Sequence, residues 1–591
     1  MQGNKPLSSA TGLLASAAIL LSGATAAHAD FRLTILHNND GESQLINAGS
    51  GDLENFGGIA RFGRVVRNLR LEGDAEGSTV LLSSGDNFLA GPEFNVSLER
   101  GIPFFDSLGL DLIGYDAFAL GNHEFDFNPD VLCDFIDGFA TFPTQTKFLS
   151  SNLDFTNEPC LAAREAANQV GAFRVIERDG EQIGIVGATT ADLDTISSPR
   201  DVIINDVLPA VQRNVNALRL AGINKIILIS HLQSISEEQE LISQLRGVDV
   251  VIAGGGDELL GTEGDTLIVP GDDEDGFFGP YPLTQTDALG REVPVVTTPG
   301  NYKYVGRLVV DFDDAGNVLS VDPKSGLVRV AGGDNEDAVE PLAFLEALVV
   351  DPVEAGVQEL AETIIATTEV GLDGIRSNIR TEETNLGNLI ADAFLSQATE
   401  LAPLFGAPTP DVALANGGGI RNDDIRGPGD VTALDTFDIL PFSNLLTVVP
   451  NISRENFKEI LENAVSAVEF TSGRFAQVGG FTMTYDPMAQ AQDIEDGVIV
   501  VAGERVVDVT LNDGTVIVAG GMVQAGDALN IAIVDFLARG GDEYPFNGAE
   551  FTNLGVSYQQ ALRNFIEGDL GAVITAADYP EGGEGRIVEL N

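Results

Sequence analysis

The feature that most constrains this chain is a repeated one. In its first half, short apolar runs of strand composition end abruptly in residues that bind metals or move protons. Strands are expected over residues 31–36, 79–82, 117–120, 226–229 and 250–252. The segments directly after them are, in order, His37-Asn38-Asn39-Asp40-Gly41-Glu42, Ser83-Ser84-Gly85-Asp86-Asn87, Gly121-Asn122-His123-Glu124-Phe125-Asp126, Ser230-His231 and Ala253-Gly254-Gly255-Gly256-Asp257-Glu258. Residues 59–71 and 207–220 carry apolar side chains three and four apart, which predicts amphipathic helices. Strands alternating with helices build an α/β layer, and in such sheets function gathers at the carboxyl ends of strands.

Histidine usage sharpens this. Of four histidines, His37, His123 and His231 all stand at these strand ends, each beside Asp, Asn or Ser. Taken together they point to a metal or catalytic centre, although a lone one would read as structural. Asp40 and Asp86 by themselves could equally be turn formers or helix caps. The chemistry such residues allow is metal-assisted hydrolysis, in which a carboxylate bridges divalent ions and the ions activate water at neutral pH. No P-loop, H-E-x-x-H or G-x-S-x-G pattern competes.

Charge narrows the partners. With 32 basic and 90 acidic residues the net charge is −58, which disfavours nucleic acid polymers and anionic membrane surfaces, and suits a salty medium. A phosphate substrate must then be met locally, by metal or by a few arginines. At 44% hydrophobic and 21% charged, the 591 residues are those of a globular protein large enough for two α/β domains.

The N-terminus reads as an export signal. Lys5 is the only charge before Asp30, and the apolar run 13–21 is followed by Ala27-His28-Ala29, an A-x-A-like cleavage site. No later run is long enough to span a bilayer, so a secreted or periplasmic protein without a membrane span is expected. Cys133 and Cys160 could pair in an oxidising compartment or remain as two buried thiols. A hairpin is expected over 307–311 and 318–321, with Asp313-Asp314-Ala315-Gly316-Asn317 as its turn. It closes a first domain near residue 330, and residues 340–368 read as a connecting helix. The division expected is 1–29 signal peptide, 30–335 first domain, 336–368 linker and 369–591 second domain.

These blocks resemble the 5′-nucleotidase family. Leu36-His37-Asn38-Asn39-Asp40, Ser84-Gly85-Asp86, Gly121-Asn122-His123-Glu124-Phe125-Asp126 and Ser230-His231-Leu232 are similar to its metallophosphoesterase blocks. Asn385-Leu386-Gly387-Asn388, Asn416-Gly417-Gly418-Gly419-Ile420-Arg421, Leu440-Pro441-Phe442-Ser443-Asn444 and Phe536-Leu537-Ala538-Arg539-Gly540-Gly541-Asp542 resemble its C-terminal domain. The resemblance implies a four-layer αββα metallophosphoesterase domain joined to an α/β nucleotide-binding domain. It implies that Asp86 bridges two metals, that Asp40 binds one, and that Asn122 and His231 bind the other. His123, oriented by Asp126, would act at the phosphoryl group. Arg376, Arg380 and Arg421 would hold phosphate, Phe442 and Phe536 would sandwich the base, and Asn416, Asn444 and Asp542 would hydrogen-bond ribose or base. The C-terminal half would rotate about a hinge within 340–368.

This chain departs from that pattern in three places. Family histidines (or a Gln at the last position) are replaced by Glu42, Gly255 and Asp257. Glu42 and Asp257 can still coordinate, whereas Gly255 cannot, so one ion sees only oxygen and the other is one ligand short. Such a centre favours Mn²⁺, Mg²⁺ or Ca²⁺ over Zn²⁺. The function implied is a secreted nucleotide phosphohydrolase of 5′-nucleotidase or UDP-sugar hydrolase type. A cyclic-nucleotide phosphodiesterase, a broad phosphomonoesterase, and a catalytically silent nucleotide- or Ca²⁺-binding protein are the alternatives. Oligomeric state stays open.

Overall fold

The computed structural model describes residues 31–140, 147–262, 265–273, 276–442, 444–495 and 497–590. The signal-peptide reading over 1–29 and Ser443 of the Leu-Pro-Phe-Ser-Asn block lie outside them. Among the described residues no helix is long and apolar enough to cross a membrane.

The first half is two sheets packed face to face. One has the parallel run Phe31–Asn38, Ser78–Ser83, Ala117–Ala119 and Phe148–Leu149, with Tyr304–Phe312 antiparallel beside the first strand. The other places Glu181–Thr189, Lys225–His231, Val250–Ile252 and Glu292–Val296 in parallel. Strand periodicity explains the four layers. Leu33, Ile35, Val80 and Leu82 from one sheet meet Ile227, Ile229, Val250 and Ile252 from the other in a dry inter-sheet core. The alternate residues Leu36 and Leu81 face an outer helix layer that includes Ile59–Glu76. Ile226, Leu228 and Val251 face Val207–Leu220 and Ile235–Gln244 on the far side. Runs apolar on both faces are what strands buried between a sheet and a helix layer require. The expected hairpin forms, as Tyr304–Phe312 and Val318–Val321.

The connection differs from the expected helix over 340–368. Helical residues run from Ala343 through a wider turn at Glu346–Val350 into Asp351–Glu362, and Ile364–Thr368 is a strand. That stretch, rich in β-branched residues, pairs with Gly429–Thr432 and Val573–Ile574 of the second half, an extended partner that helix periodicity cannot reveal. Gly356 lies so close to Val96 that a Cβ there would stand 2.6 Å from a Val96 methyl, which ties the linker helix to the first half. The second half is built on a five-stranded sheet in the order Ala476–Gly479, Val412–Asn416, Leu529–Val534, Leu445–Ile452 and Thr552–Ser557. Cys133 and Cys160 form a disulfide, closing a loop that joins two helices of the first half.

Candidate active site between the two halves

The strand-end loops of the first half converge at one edge of the paired sheets. Donor atoms of Asp40, Asp86 and His231, all buried, lie within 4.8 Å of one another. His231 Nε2 is 2.9 Å from Asp86 Oδ2 and 3.1 Å from Asn122 Oδ1, while its Nδ1 is fixed 2.7 Å from the Ser84 carbonyl oxygen. That carbonyl selects which ring nitrogen is presented to the cluster. Asp40, Glu42 and Asp86 all hold φ near +50°, a conformation that residues with a Cβ avoid. Such a conformation at three neighbouring loop residues holds their carboxylates in one arrangement at the strand ends.

Electrostatics gives the cluster an appetite for cations. Burial pushes the Asp40 carboxyl up to about 7 and, aided by Asp40, Asp86 and Asp257, pushes Glu42 up to about 8. His231, although buried, is raised to about 10 by its pairing with Asp86. Carboxylates that must otherwise hold protons or borrow a histidine's charge fit a divalent ion, whose binding would release those protons. Glu42 lines the adjoining cavity, and Asp257 Oδ1 accepts a hydrogen bond from Gly300 N at 3.3 Å. Both stand outside the tight cluster of Asp40, Asp86 and His231.

His123 sits beside this cluster. Its Nδ1 is 2.6 Å from Asp126 Oδ2, and its Nε2 is 3.8 Å from Asp86 Oδ2. Burial opposes its charge, but Asp126, Asp86 and Glu42 outweigh that and hold its pKa well above the ordinary imidazole value. Asp126 is in turn gripped by the Ser197 hydroxyl, which donates to Oδ1 at 2.8 Å.

His37 does not join them. Its strand runs on to Asn38, and alternation puts the ring on the same face as Leu33 and Ile35. There it lies over Gly306 and pairs with the Tyr281 hydroxyl at 2.7 Å. Burial drives its pKa down to about 3, so it is a neutral core residue. Expecting all three histidines at one centre is therefore corrected to two.

Sequence reasoning also missed residues that shape the site. The Glu124 carboxylate accepts hydrogen bonds from the backbone N–H groups of Asp86, Asn87 and Gly121, at 2.9, 2.8 and 2.7 Å, clipping two strand-end loops together. Asn39 braces Asp40 against Thr298. Gln233 donates to Asn122 Oδ1 at 2.6 Å. Glu124 lay inside a recognised block without an assigned role; Ser197 and Gln233 carry no local signal.

The second half faces this centre across a cavity of about 730 Å³. Glu42, Asn122, His123 and Asp126 line one wall, and Arg376, Arg380, Arg421 and Asn416 the other. Phe442, Asn444, Phe536 and Asp542 complete it. Burial, with repulsion from Arg376 and Arg421, lowers the Arg380 pKa, and its Nε is buried with no hydrogen-bond partner among the described residues. Three guanidiniums crowded this closely are poised for an anion. The Phe442 and Phe536 rings are 36% and 44% exposed, and Arg421 stacks on Phe442 at 4.9 Å. Asn416 Nδ2 donates to Asp542 Oδ2 at 2.7 Å. Arg539 of the second half, which also lines the cavity, donates a hydrogen bond to the Asp194 carbonyl oxygen of the first.

Comparison with known proteins agrees with this architecture. Residues 364–548 match the family described as 5′-nucleotidase, C-terminal domain. The human 5′-nucleotidase is 30% identical over 550 residues, spanning 90% of this chain and 87% of that protein. The chain belongs to the 5′-nucleotidase family. Its chemistry is that of a metal-dependent phosphoric ester hydrolase. A solved 5′-nucleotidase precursor from Thermus thermophilus superposes with a TM-score of 0.61 at 30% identity, covering 95% of this chain and 100% of that one. A trifunctional nucleotide phosphoesterase protein of Bacillus subtilis (strain 168) is 29% identical over 537 residues, covering 87% of this chain. This chain spans only 32% of that relative's length.

Proposed function

We propose that this family member is a secreted 5′-nucleotidase that releases phosphate from nucleotides, with UDP-sugars also within its range. One observation carries the reading: a single cavity joins Glu42, Asn122, His123 and Asp126, beside the acid–histidine cluster of the first half, to the arginines and half-exposed rings of the second. The division into 30–335, 336–368 and 369–591 goes with it, as do cleavage after Ala29 and a periplasmic or extracellular location.

In this reading Asp40, Asp86, Asn122 and His231 hold one or two divalent ions, with Glu42 and Asp257 as the further carboxylate ligands. The oxygen-rich set favours Mn²⁺, Mg²⁺ or Ca²⁺ over Zn²⁺. When bound, such ions polarise the phosphoryl group and lower the pKa of water. The remaining work falls to side chains. His123, charged through Asp126 and Asp86, faces the phosphoryl oxygens, where it stabilises developing negative charge and delivers a proton to the leaving oxygen. Ser197 keeps Asp126, and so the ring, in one orientation. Arg376, Arg380 and Arg421 anchor phosphate by bidentate bonds. Phe442 and Phe536 stack on the base from either side, a contact of about 1–3 kcal/mol per base. Asn416, Asn444 and Asp542 bond the ribose or base edge. The cavity is lined by both halves, so their relative rotation would reshape it, with the wider turn at Glu346–Val350 as the place where the connection yields.

A hydrolysis panel over nucleoside monophosphates, UDP-sugars and cyclic nucleotides, each with Mn²⁺, Mg²⁺, Ca²⁺, Co²⁺ and Zn²⁺, tests this. Phosphate release from monophosphates that chelator abolishes and Mn²⁺, Mg²⁺ or Ca²⁺ restores is expected. Activity confined to cyclic nucleotides, or none with any ion, refutes it.

A further inference from the structure

Gly255 is the position where family resemblance leaves a ligand missing, and the local geometry explains why no side chain stands there. Its φ is +91°, and a Cβ on it would meet His231 Nε2 at 2.8 Å and the backbone N and Cα of Gln233 at 2.9 Å. The segment after His231 has taken that space. Gln233 itself holds φ at +84°, which a residue with a Cβ adopts only at a cost. In this conformation its terminal amide reaches the cluster, with Nε2 2.6 Å from Asn122 Oδ1. It also lines the same cavity as Asn122 and His123.

The spacing of the polar atoms is informative. Asn122 Oδ1 is 2.6 Å from the Gln233 amide and 3.1 Å from His231 Nε2, and that nitrogen is 2.9 Å from Asp86 Oδ2. Neighbouring ligand atoms on one octahedral divalent ion, with bonds of about 2.1 Å, stand about 3 Å apart. These four groups are thus spaced as neighbours around a single ion.

We propose that Gln233 supplies the ligand that Gly255 cannot, completing with Asp86, Asn122 and His231 the set around one divalent ion. This rests on the assignment of those three residues as ligands made above. A half-turn of the terminal amide exchanges Nε2 for Oε1. A cation favours the oxygen, because Asn122 Oδ1 then no longer needs a donor. A neutral amide oxygen is a hard ligand, so the exchange of imidazole for amide biases this position towards Mn²⁺, Mg²⁺ or Ca²⁺ and away from Zn²⁺. The strained backbone at Gln233 becomes the means by which a loop, displaced into the space of an absent side chain, aims its own side chain at the ion.

Titration of Mn²⁺ alone into the chelator-stripped full chain, followed by calorimetry, tests the proposal without reference to catalysis. Gln233→Ala is expected to weaken one Mn²⁺ site by at least roughly 10-fold, since removing even an outer partner of a metal ligand costs about that much. Its metal-free melting temperature should match wild type. Gln233→Glu, which restores an oxygen ligand and adds charge, should recover or exceed wild-type affinity. Unchanged Mn²⁺ affinity in Gln233→Ala, or a loss that Gln233→Glu does not recover, overturns the proposal and leaves the other ligands standing. A wild-type chain that takes up no Mn²⁺ overturns both.

Discussion

Replacing Gly255 by alanine should be far more costly than the single added methyl group suggests. Two penalties add. A Cβ at φ +91° brings backbone strain of about 1–2 kcal/mol. The same Cβ stands 2.8 Å from His231 Nε2 and 2.9 Å from backbone atoms of Gln233. Forcing an extra carbon into such a site costs about 1–3 kcal/mol, because backbone cannot swing aside as the end of a flexible side chain can. The sum, about 2–5 kcal/mol, corresponds to roughly 4–10 °C in melting temperature at about 2 °C per kcal/mol for a large domain. Gly222 isolates the two parts, since its φ is +90° yet nothing among the described residues lies within 4 Å of its Cβ position. Gly222→Ala therefore reports backbone strain alone. Scanning calorimetry in chelator should show Gly255→Ala melting well below Gly222→Ala, and Mn²⁺ titration should show weakened binding only in the former, whose His231 ring is pushed. Equal melting temperatures for the two variants, with wild-type Mn²⁺ affinity in both, would refute the reasoning. The same geometry predicts that Gly255→His does not rebuild an imidazole ligand.

Three further outcomes concern the site and its surroundings. His123→Ala should lower kcat by roughly 10²–10⁴ with little change in KM, and Asp126→Asn should do the same to a lesser degree, since both act where charge develops; an unaltered kcat in steady-state assays removes them from the mechanism. Phe442→Ala or Phe536→Ala should weaken nucleotide binding by about 1–3 kcal/mol while sparing a small aryl phosphate, and equal losses on both substrates would make the rings mere packing. Burial raises the Asp106 carboxyl to about 6, so the folded state prefers it protonated, and its stabilising contribution is complete below about pH 4 and lost as pH rises through 6. Asp106→Asn should abolish that part of the slope in chemical unfolding measured from pH 4 to 7, and an unchanged slope would show that Asp106 does not carry it.

The sequence by itself determined what depends on short-range patterning. Largely apolar runs gave strands buried on both faces, amphipathic spacing gave 207–220 as a helix to the residue, and the polar residues after each strand put forward Asp40, Asp86, Asn122, His123 and His231 as candidates. Motif resemblance supplied the arginines and the two rings on the opposite wall. What tertiary structure alone decided is which neighbours share space. His37 bears the same local signature as His123, yet one more residue of strand turns it into the core, where Tyr281 and not a metal meets it. Ile364–Thr368 is extended because partners more than sixty and two hundred residues later offer it a ladder, a pairing invisible to a local window. Ser197 reaches Asp126 across 71 residues, and Gln233 reaches Asn122 across 111. Hydrogen bonds and excluded volume act over a few ångströms in space whatever the separation along the chain. A glycine that reads as a lost ligand therefore becomes, in three dimensions, the room that another residue's backbone occupies.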